Sequence, residues 1–157
     1  LSFLEEEIAV CEREIVRALS IPRFTAVAKL LRTAPGVGLI TAATVLAEIG
    51  DFSRFPDAKA IGRYAGLTPT VYASGGKERH GHISKTGPRD LRWVLQQAAW
   101  TAIRCNERIK TRWLSLSRKG NKKSAAVAIA RQLLVALWQM ARRNEPYRAP
   151  AEQVAAA

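Results

Sequence analysis

Aspartate is scarce in this chain of 157 residues, which holds only Asp51, Asp57 and Asp90. Polynucleotidyl transfer by two metal ions needs several converging carboxylates. None of the three stands in an alternating strand pattern, so a self-contained metal nuclease is not expected and no metal is assigned to this chain. Cysteine is scarcer still. Cys11 and Cys105 lie far apart without metal-ligand spacing and read as reduced core thiols rather than a disulfide framework. Long apolar runs are missing as well: the longest candidate, Ala125 to Ala130, stops at Arg131, short of the roughly 18 residues a spanning helix needs. No membrane partner is expected. Leu1 is not followed by a basic-then-apolar leader, which predicts a cytoplasmic chain and a piece of a longer protein. With 48% hydrophobic and 24% charged residues it is no disordered tail, and its length fits one domain with a helical extension.

What is present in excess is positive charge, and it is unevenly placed. Residues 1–70 hold 8 basic and 8 acidic side chains, whereas residues 71–157 hold 17 and 5. The whole formal charge of +12 therefore belongs to the C-terminal part. Between Lys77 and Lys123 alone there are 13 basic and 3 acidic side chains, a density that repels itself unless a polyanion is near. Nucleic acid is the partner this predicts. An acidic membrane surface fits less well, because the cations are not confined to one amphipathic helix beside an apolar anchor.

The pattern of apolar residues predicts a mainly α domain. Leu1, Leu4, Ile8, Cys11, Ile15 and Ala18 repeat every 3 or 4 residues, with Glu5, Glu6, Glu7, Glu12 and Glu14 outside the seam. That is the edge of a coiled coil or a helix laid on its own domain, and it is expected to end before Pro22. Helices follow at about 24–32 and 39–49. Asp57 is placed to cap a short helix over 58–65, with Phe52 and Phe55 plugging the core beneath it. Val71 to Ala73 and Arg79 to Ile83 have strand character, and Ser74-Gly75-Gly76-Lys77 between them is turn chemistry, so one small β-hairpin is expected. Pro88 suits the first turn of a helix reaching about Asn106, with Leu91, Leu95, Ala98, Ala102 and Cys105 as its apolar stripe. Helices over about 107–117 and 124–143 complete the chain. The division is 1–20 for the end of a coiled-coil helix, 21–147 for a compact helical domain containing a helix-hairpin-helix, and 148–157 for a tail.

Three constellations bear on chemistry. Gly36-Val37-Gly38 followed by Ala42 fits a helix-hairpin-helix, in which Gly36 and Gly38 let backbone amides at a helix N-terminus approach a DNA phosphate; a packing corner without ligand has the same pattern. Ser74 precedes two glycines, so its backbone admits a phosphate closely, and Lys77, Arg79, His80 and Lys85 are near enough to neutralise a phosphorus transition state. A hydroxyl is a weak nucleophile without a base, for which His80 and His82 are the candidates, and Ser-Gly-Gly also suits a plain hairpin turn. Glu78, His80 and His82 alternate as a metal site would, but cationic neighbours oppose it, leaving the histidines to contact phosphates or support Ser74. Arg89 and Arg92 fall in the first turns of a helix, where the dipole disfavours cations unless an anion is bound. Trp93, Trp100, Trp113 and Trp138 could stack bases, though core packing accounts for them more simply.

Taken in order, Ala34-Pro35-Gly36-Val37-Gly38, Ala47-Glu48-Ile49-Gly50-Asp51, Tyr64-Ala65-Gly66-Leu67-Thr68-Pro69, Ser74-Gly75-Gly76-Lys77, Gly81-His82-Ile83-Ser84-Lys85 and Leu91-Arg92 resemble the C-terminal transposase domain of the insertion-sequence one-ten (one-sixteen) type. The resemblance covers about residues 30–147. It implies a DNA transposase or recombinase in which an acidic, resolvase-like N-terminal domain holding a divalent metal such as Mg precedes a coiled coil and then this domain. It further implies that Ser74 becomes joined to a DNA phosphate, with Gly75, Gly76, Lys77, Arg79, His80, His82, Lys85, Arg89 and Arg92 around the nucleic acid. Members work as oligomers guided by a structured RNA from the element, so homo-oligomerisation through the N-terminal helix is expected. From another class, the alternatives are a non-catalytic helix-hairpin-helix module that binds structured DNA or RNA, and a helical protein-interaction module with a solvated basic face.

Overall fold

A computed structural model describes residues 2–74, 77–118 and 120–148, with the backbone alone over 70–82. It is mainly helical. The elements are α1 (Ser2–Leu19), α2 (Pro22–Leu31), α3 (Leu39–Ile49), a 3-10 turn (Phe52–Arg54), α4 (Ala58–Tyr64), β1 (Pro69–Ser74), β2 (Lys77–Ile83), α5 (Arg89–Cys105), α6 (Glu107–Arg118) and α7 (Lys122–Arg143). The expected tail from Ala149 lies outside the described residues.

The axis of the fold is α7. Asn121 caps it by accepting a hydrogen bond from the Ser124 amide at 2.7 Å, satisfying one of the amides a helix start leaves open. It ends on Asn144 in the left-handed conformation, a residue type that tolerates it. Between these points it buries Ile129, Leu133, Leu134, Leu137, Trp138 and Met140 among small alanines. Fully burying a leucine is worth roughly 1.5–3 kcal/mol, so this face anchors α2, α4, α5 and α6, all of which pack on it. By length and composition α7 would pass for a membrane span, but half of that stretch is buried inside the fold. The expectation that no stretch comes near such a length is corrected to that extent: Arg131 does not interrupt the helix, because its neighbours on the other face remain apolar.

Around α7 the local signals act largely as their chemistry dictates. Pro22 occupies the first turn of α2, where a missing amide is harmless, so the helix begins before Phe24. Asp57 caps α4 through the Ala60 amide. Asp51 accepts hydrogen bonds from the hydroxyl and amide of Ser53, and these hold its carboxyl below the ordinary range. Phe52 and Phe55 are buried as expected. The Phe52 carbonyl accepts from the Trp138 indole at 3.2 Å, and Arg54 lies over the rings of Phe55 and Tyr64 at 4.7 and 4.6 Å. Trp100 and Trp113 meet edge to face at 6.0 Å between α5 and α6, a favoured aromatic geometry. Past α7, the Tyr147 amide donates to Thr33 Oγ1 at 2.9 Å, tying the end of the described chain to the α2–α3 turn.

Both cysteines are free but exposed rather than core. Cys11 rides on α1, which buries no residue, and Cys105 is the last residue of α5. The α1 seam is correspondingly open: Phe3, Leu4, Ile8, Val10 and Val16 are exposed, and only Leu19 among its large apolar residues packs on the core. Ile8→Asp is therefore expected to leave the melting temperature of the isolated copy unchanged, since an exposed site shifts stability within about 0.5 kcal/mol. Thermal unfolding checks the temperature, and sedimentation of wild type and variant tests whether a second copy covers this face.

Candidate nucleic-acid interface

Four strands of backbone converge at the foot of the β1–β2 hairpin. Helix α4 ends in a left-handed Gly66 at φ +68, and the amides of Gly66 and Leu67 bond back to the carbonyls of Arg63 and Gly62, a closure that glycine makes without steric penalty. The chain then runs up β1 and down β2. On its return, Ser84 and Lys85 donate to the carbonyls of Thr68 and Gly66 at 3.0 and 3.2 Å, extending the pairing below the strands. There the two segments touch backbone to backbone. A Cβ on Gly66 would stand 2.0 Å from the Thr86 carbonyl oxygen, and one on Gly87, at φ +88, 1.9 Å from that of Tyr64.

Arg92 secures this crossing. Its Nη1 donates to the carbonyls of Gly87 at 2.8 Å and Thr86 at 3.0 Å, with that of Ala65 at 3.4 Å. These contacts give Arg92 a structural role through Nη1, engaged with protein carbonyls on both sides of the crossing. Lys85 beside it is exposed and holds φ +54, a conformation costly for a side chain with a Cβ. The hydroxyls of Ser84 and Thr86 lie 2.9 Å apart. Pro88 is the N-cap of α5 rather than a member of its first turn, and Arg89 and Asp90 open the helix, both exposed.

Ser74 takes the last paired position of β1, directly opposite Lys77. Gly75 and Gly76 between them lie outside the described residues, as do the side chains of Ser74, Lys77, Arg79, His80 and His82. The backbone register bears on the histidines. Val71 pairs with His80 and Pro69 with Ile83, so two steps along β1 match three along β2. The extra residue interrupts the period of two. The expected alternation of Glu78, His80 and His82 concerns side chains outside the described residues. Among the described residues no three of His, Cys, Asp and Glu come together.

The α2–α3 turn separates its two glycines by role. Gly36, at φ +78, presses on α5, where a Cβ would fall 2.2 Å from the Ala98 carbonyl oxygen. Helix packing by itself calls for glycine at this position. Gly38 is exposed with open space at its Cα, and it begins α3 without any side-chain cap. The first amides of that helix keep the partial positive charge of an uncapped N-terminus.

Between Arg89 and Lys123 the cations lack acidic partners. Lys110 reaches Glu107 at 3.2 Å, while among the described residues Arg89, Arg104, Arg108, Arg112, Arg118, Lys122 and Lys123 form no ion pair. Trp93 departs from the expected core packing. It is 57% exposed on α5, whereas Trp138 is buried and Trp100 and Trp113 are half-buried. Residue spacing contained that signal, since Trp93 lies off the stripe of Leu91, Leu95 and Ala98.

These features define a mainly helical module with a firmly footed hairpin and a run of cations left without acids. The chain belongs to the IS116/IS110/IS902 transposase family, whose model matches residues 28–114. It is 33% identical over 152 residues to a protein of Pseudomonas aeruginosa named "Probable family 20 transposase", covering 94% of this chain and 44% of that one. It is 33% identical over 123 residues to the transposase for insertion sequence element IS1111A of Coxiella burnetii, covering 75% and 34%. The same identity and length relate it to a pilin gene-inverting protein of Moraxella bovis, covering 76% and 38%. The chain thus spans less than half the length of these relatives.

The crossing generates a stability prediction. Gly87→Ala combines a left-handed backbone with a backbone collision and should lose about 2–4 kcal/mol. Gly50→Ala, at φ +65 but with nothing near its Cα, should lose only about 1 kcal/mol. Urea unfolding of the two variants measures the difference, and equal losses would mean that the crossing bears no load.

Proposed function

We propose that this chain is the DNA-binding, serine-bearing portion of an insertion-sequence transposase, with Ser74 as the group that becomes joined to DNA. The observation that carries the reading is the position of Ser74 in a chain of this family: it closes β1 opposite Lys77 at the tip of a hairpin whose foot is held by the Gly66–Gly87 crossing. In the reaction the serine hydroxyl displaces one sugar oxygen of a phosphodiester. A bond from Oγ to phosphorus replaces the bond to the sugar, and the serine proton ends on the freed sugar hydroxyl. Lys77, Arg79, Lys85 and Arg89 offset the charge that grows on the phosphoryl oxygens, and His80 or His82 takes the proton in transit. The amides of α3 beside Gly38 make a further contact that positions DNA without reading its sequence.

A divalent metal does not fit the described residues of this chain, so no step is placed on one here; an acidic domain in a longer protein would hold it. A guide RNA from the element and a second copy paired through the open face of α1 complete the assembly in this reading. The uncapped start of α3 favours one other reading, a non-catalytic module on structured DNA or RNA, which covalent trapping separates because only a nucleophile retains phosphate.

Two measurements test the proposal. The chain should bind duplex DNA with little sequence preference, and about six phosphate contacts imply a log-log salt slope near −5; a flat titration removes nucleic acid as the partner. In the longer protein with its acidic domain and guide, Ser74→Ala should abolish strand cleavage and the covalent adduct while leaving DNA binding nearly intact. Ser84→Ala, in the nearest other hydroxyl, should keep both. An adduct that survives Ser74→Ala would exclude Ser74 as the nucleophile.

A further inference from the structure

A groove of about 990 Å³ opens between α5, α7 and the foot of the hairpin, and the function proposed above makes no use of it. Its floor is apolar, with Val127 and Val135 of α7 facing Pro69 and Ile83. Carboxamides come from Gln96 on α5 and from Gln132 and Gln139 on α7, a hydroxyl from Ser124, and positive charge from Lys123, Arg131 and Arg148, while among the described residues no carboxylate lines the groove. Arg131 is half-buried and forms no ion pair among the described residues. Its Nε lies 3.3 Å from where a Cβ on Gly62 would stand, so the missing side chain at Gly62 leaves room for the guanidinium. Trp93 precedes Gln96 by three residues and Trp100 by seven, which places it on the same face of α5 as both. Trp100 lines the groove, and Trp93 stands exposed beyond it.

We infer that this groove holds unpaired nucleotides of a bound nucleic acid, a proposal that rests on the nucleic-acid reading above. The chemistry selects this occupant. Guanidinium and ammonium groups without acids suit backbone phosphates, carboxamides donate and accept to the edge of a base, and an exposed indole stacks on its face. A duplex keeps its bases stacked inward and offers no open face to Trp93. An acidic peptide would satisfy the cations but offers no flat ring for Trp93. Unpaired DNA and unpaired RNA share the recognised groups, and the experiment separates them.

The test uses the 157-residue chain with short single strands of DNA and of RNA in one sequence, the blunt DNA duplex of that sequence, and polyglutamate. Single strands should quench the exposed tryptophan, and Trp93→Ala should weaken their binding about tenfold while duplex affinity stays unchanged. Gln132→Ala should weaken them severalfold in the same selective way. Both residues are exposed, so these variants report even where Arg131→Gln fails to fold. The nucleic acid whose strand binds tighter and loses more in Trp93→Ala is the one the groove takes. Equal losses for strand and duplex, absence of quenching, or displacement of the strand by polyglutamate at equal charge would overturn the groove while leaving duplex binding in place. Failure of strand and duplex alike would overturn the nucleic-acid reading itself.

Discussion

Two glycines and one guanidinium carry the architecture of the hairpin region. Gly66 and Gly87 let the segment leaving α4 and the segment entering α5 touch where any Cβ would collide with a carbonyl oxygen, and Arg92 bonds to carbonyls on both. A two-stranded hairpin is marginal alone in water. Here its foot is continuous with a helix end on one side and a helix start on the other, which fixes where β1 leaves α4 and where β2 returns to α5. Those helices are fixed in turn by burial against α7. Whatever Ser74 does at the tip is done on a lever whose fulcrum is the crossing.

The division between apolar and charged surface follows from the same arrangement. Helix α7 takes the core, and the helices packed on it turn their cations outward. With acids scarce in this part of the chain, most of the described lysines and arginines between Arg89 and Lys123 form no ion pair, and burying such groups without pairing would be costly. They stay in water as a stable but self-repelling surface. The separation of a dry, small-residue interior from an electropositive exterior lets the chain tolerate a net +12 without losing its packing.

Sequence reading captured what depends on local chemistry. The limits of α3, the Asp57 cap and the burial of Phe52 and Phe55 came from residues within a few positions of one another. What escaped it depends on partners far along the chain. Nothing near Gly36 in sequence shows that α5 presses on it, and nothing near Arg92 shows that its Nη1 meets three carbonyls. Burial of the cysteines was misjudged because Cys11 sits on the exposed part of α1, which meets α2 and α3 only toward its C-terminal end, and Cys105 at a helix end. The extra residue in β2 was hidden because an irregular register leaves no mark on composition. Trp93 was legible in principle, being off the buried stripe of α5, but aromatic content argued more loudly for the core.

The hydrogen bond from the Tyr147 amide to Thr33 and the one from Trp138 to the Phe52 carbonyl join residues far apart along the chain. The apolar face of α2 therefore waits for α7, and that of α3 for α5, before they are covered. Closing such distant contacts is slow compared with forming local helices, so a nascent chain exposes these helical faces until α5 and α7 have emerged. Premature termination within α7 would yield a product unable to bury its own interior, and the cell's proteases would meet it as an unfolded chain rather than as a shorter working domain.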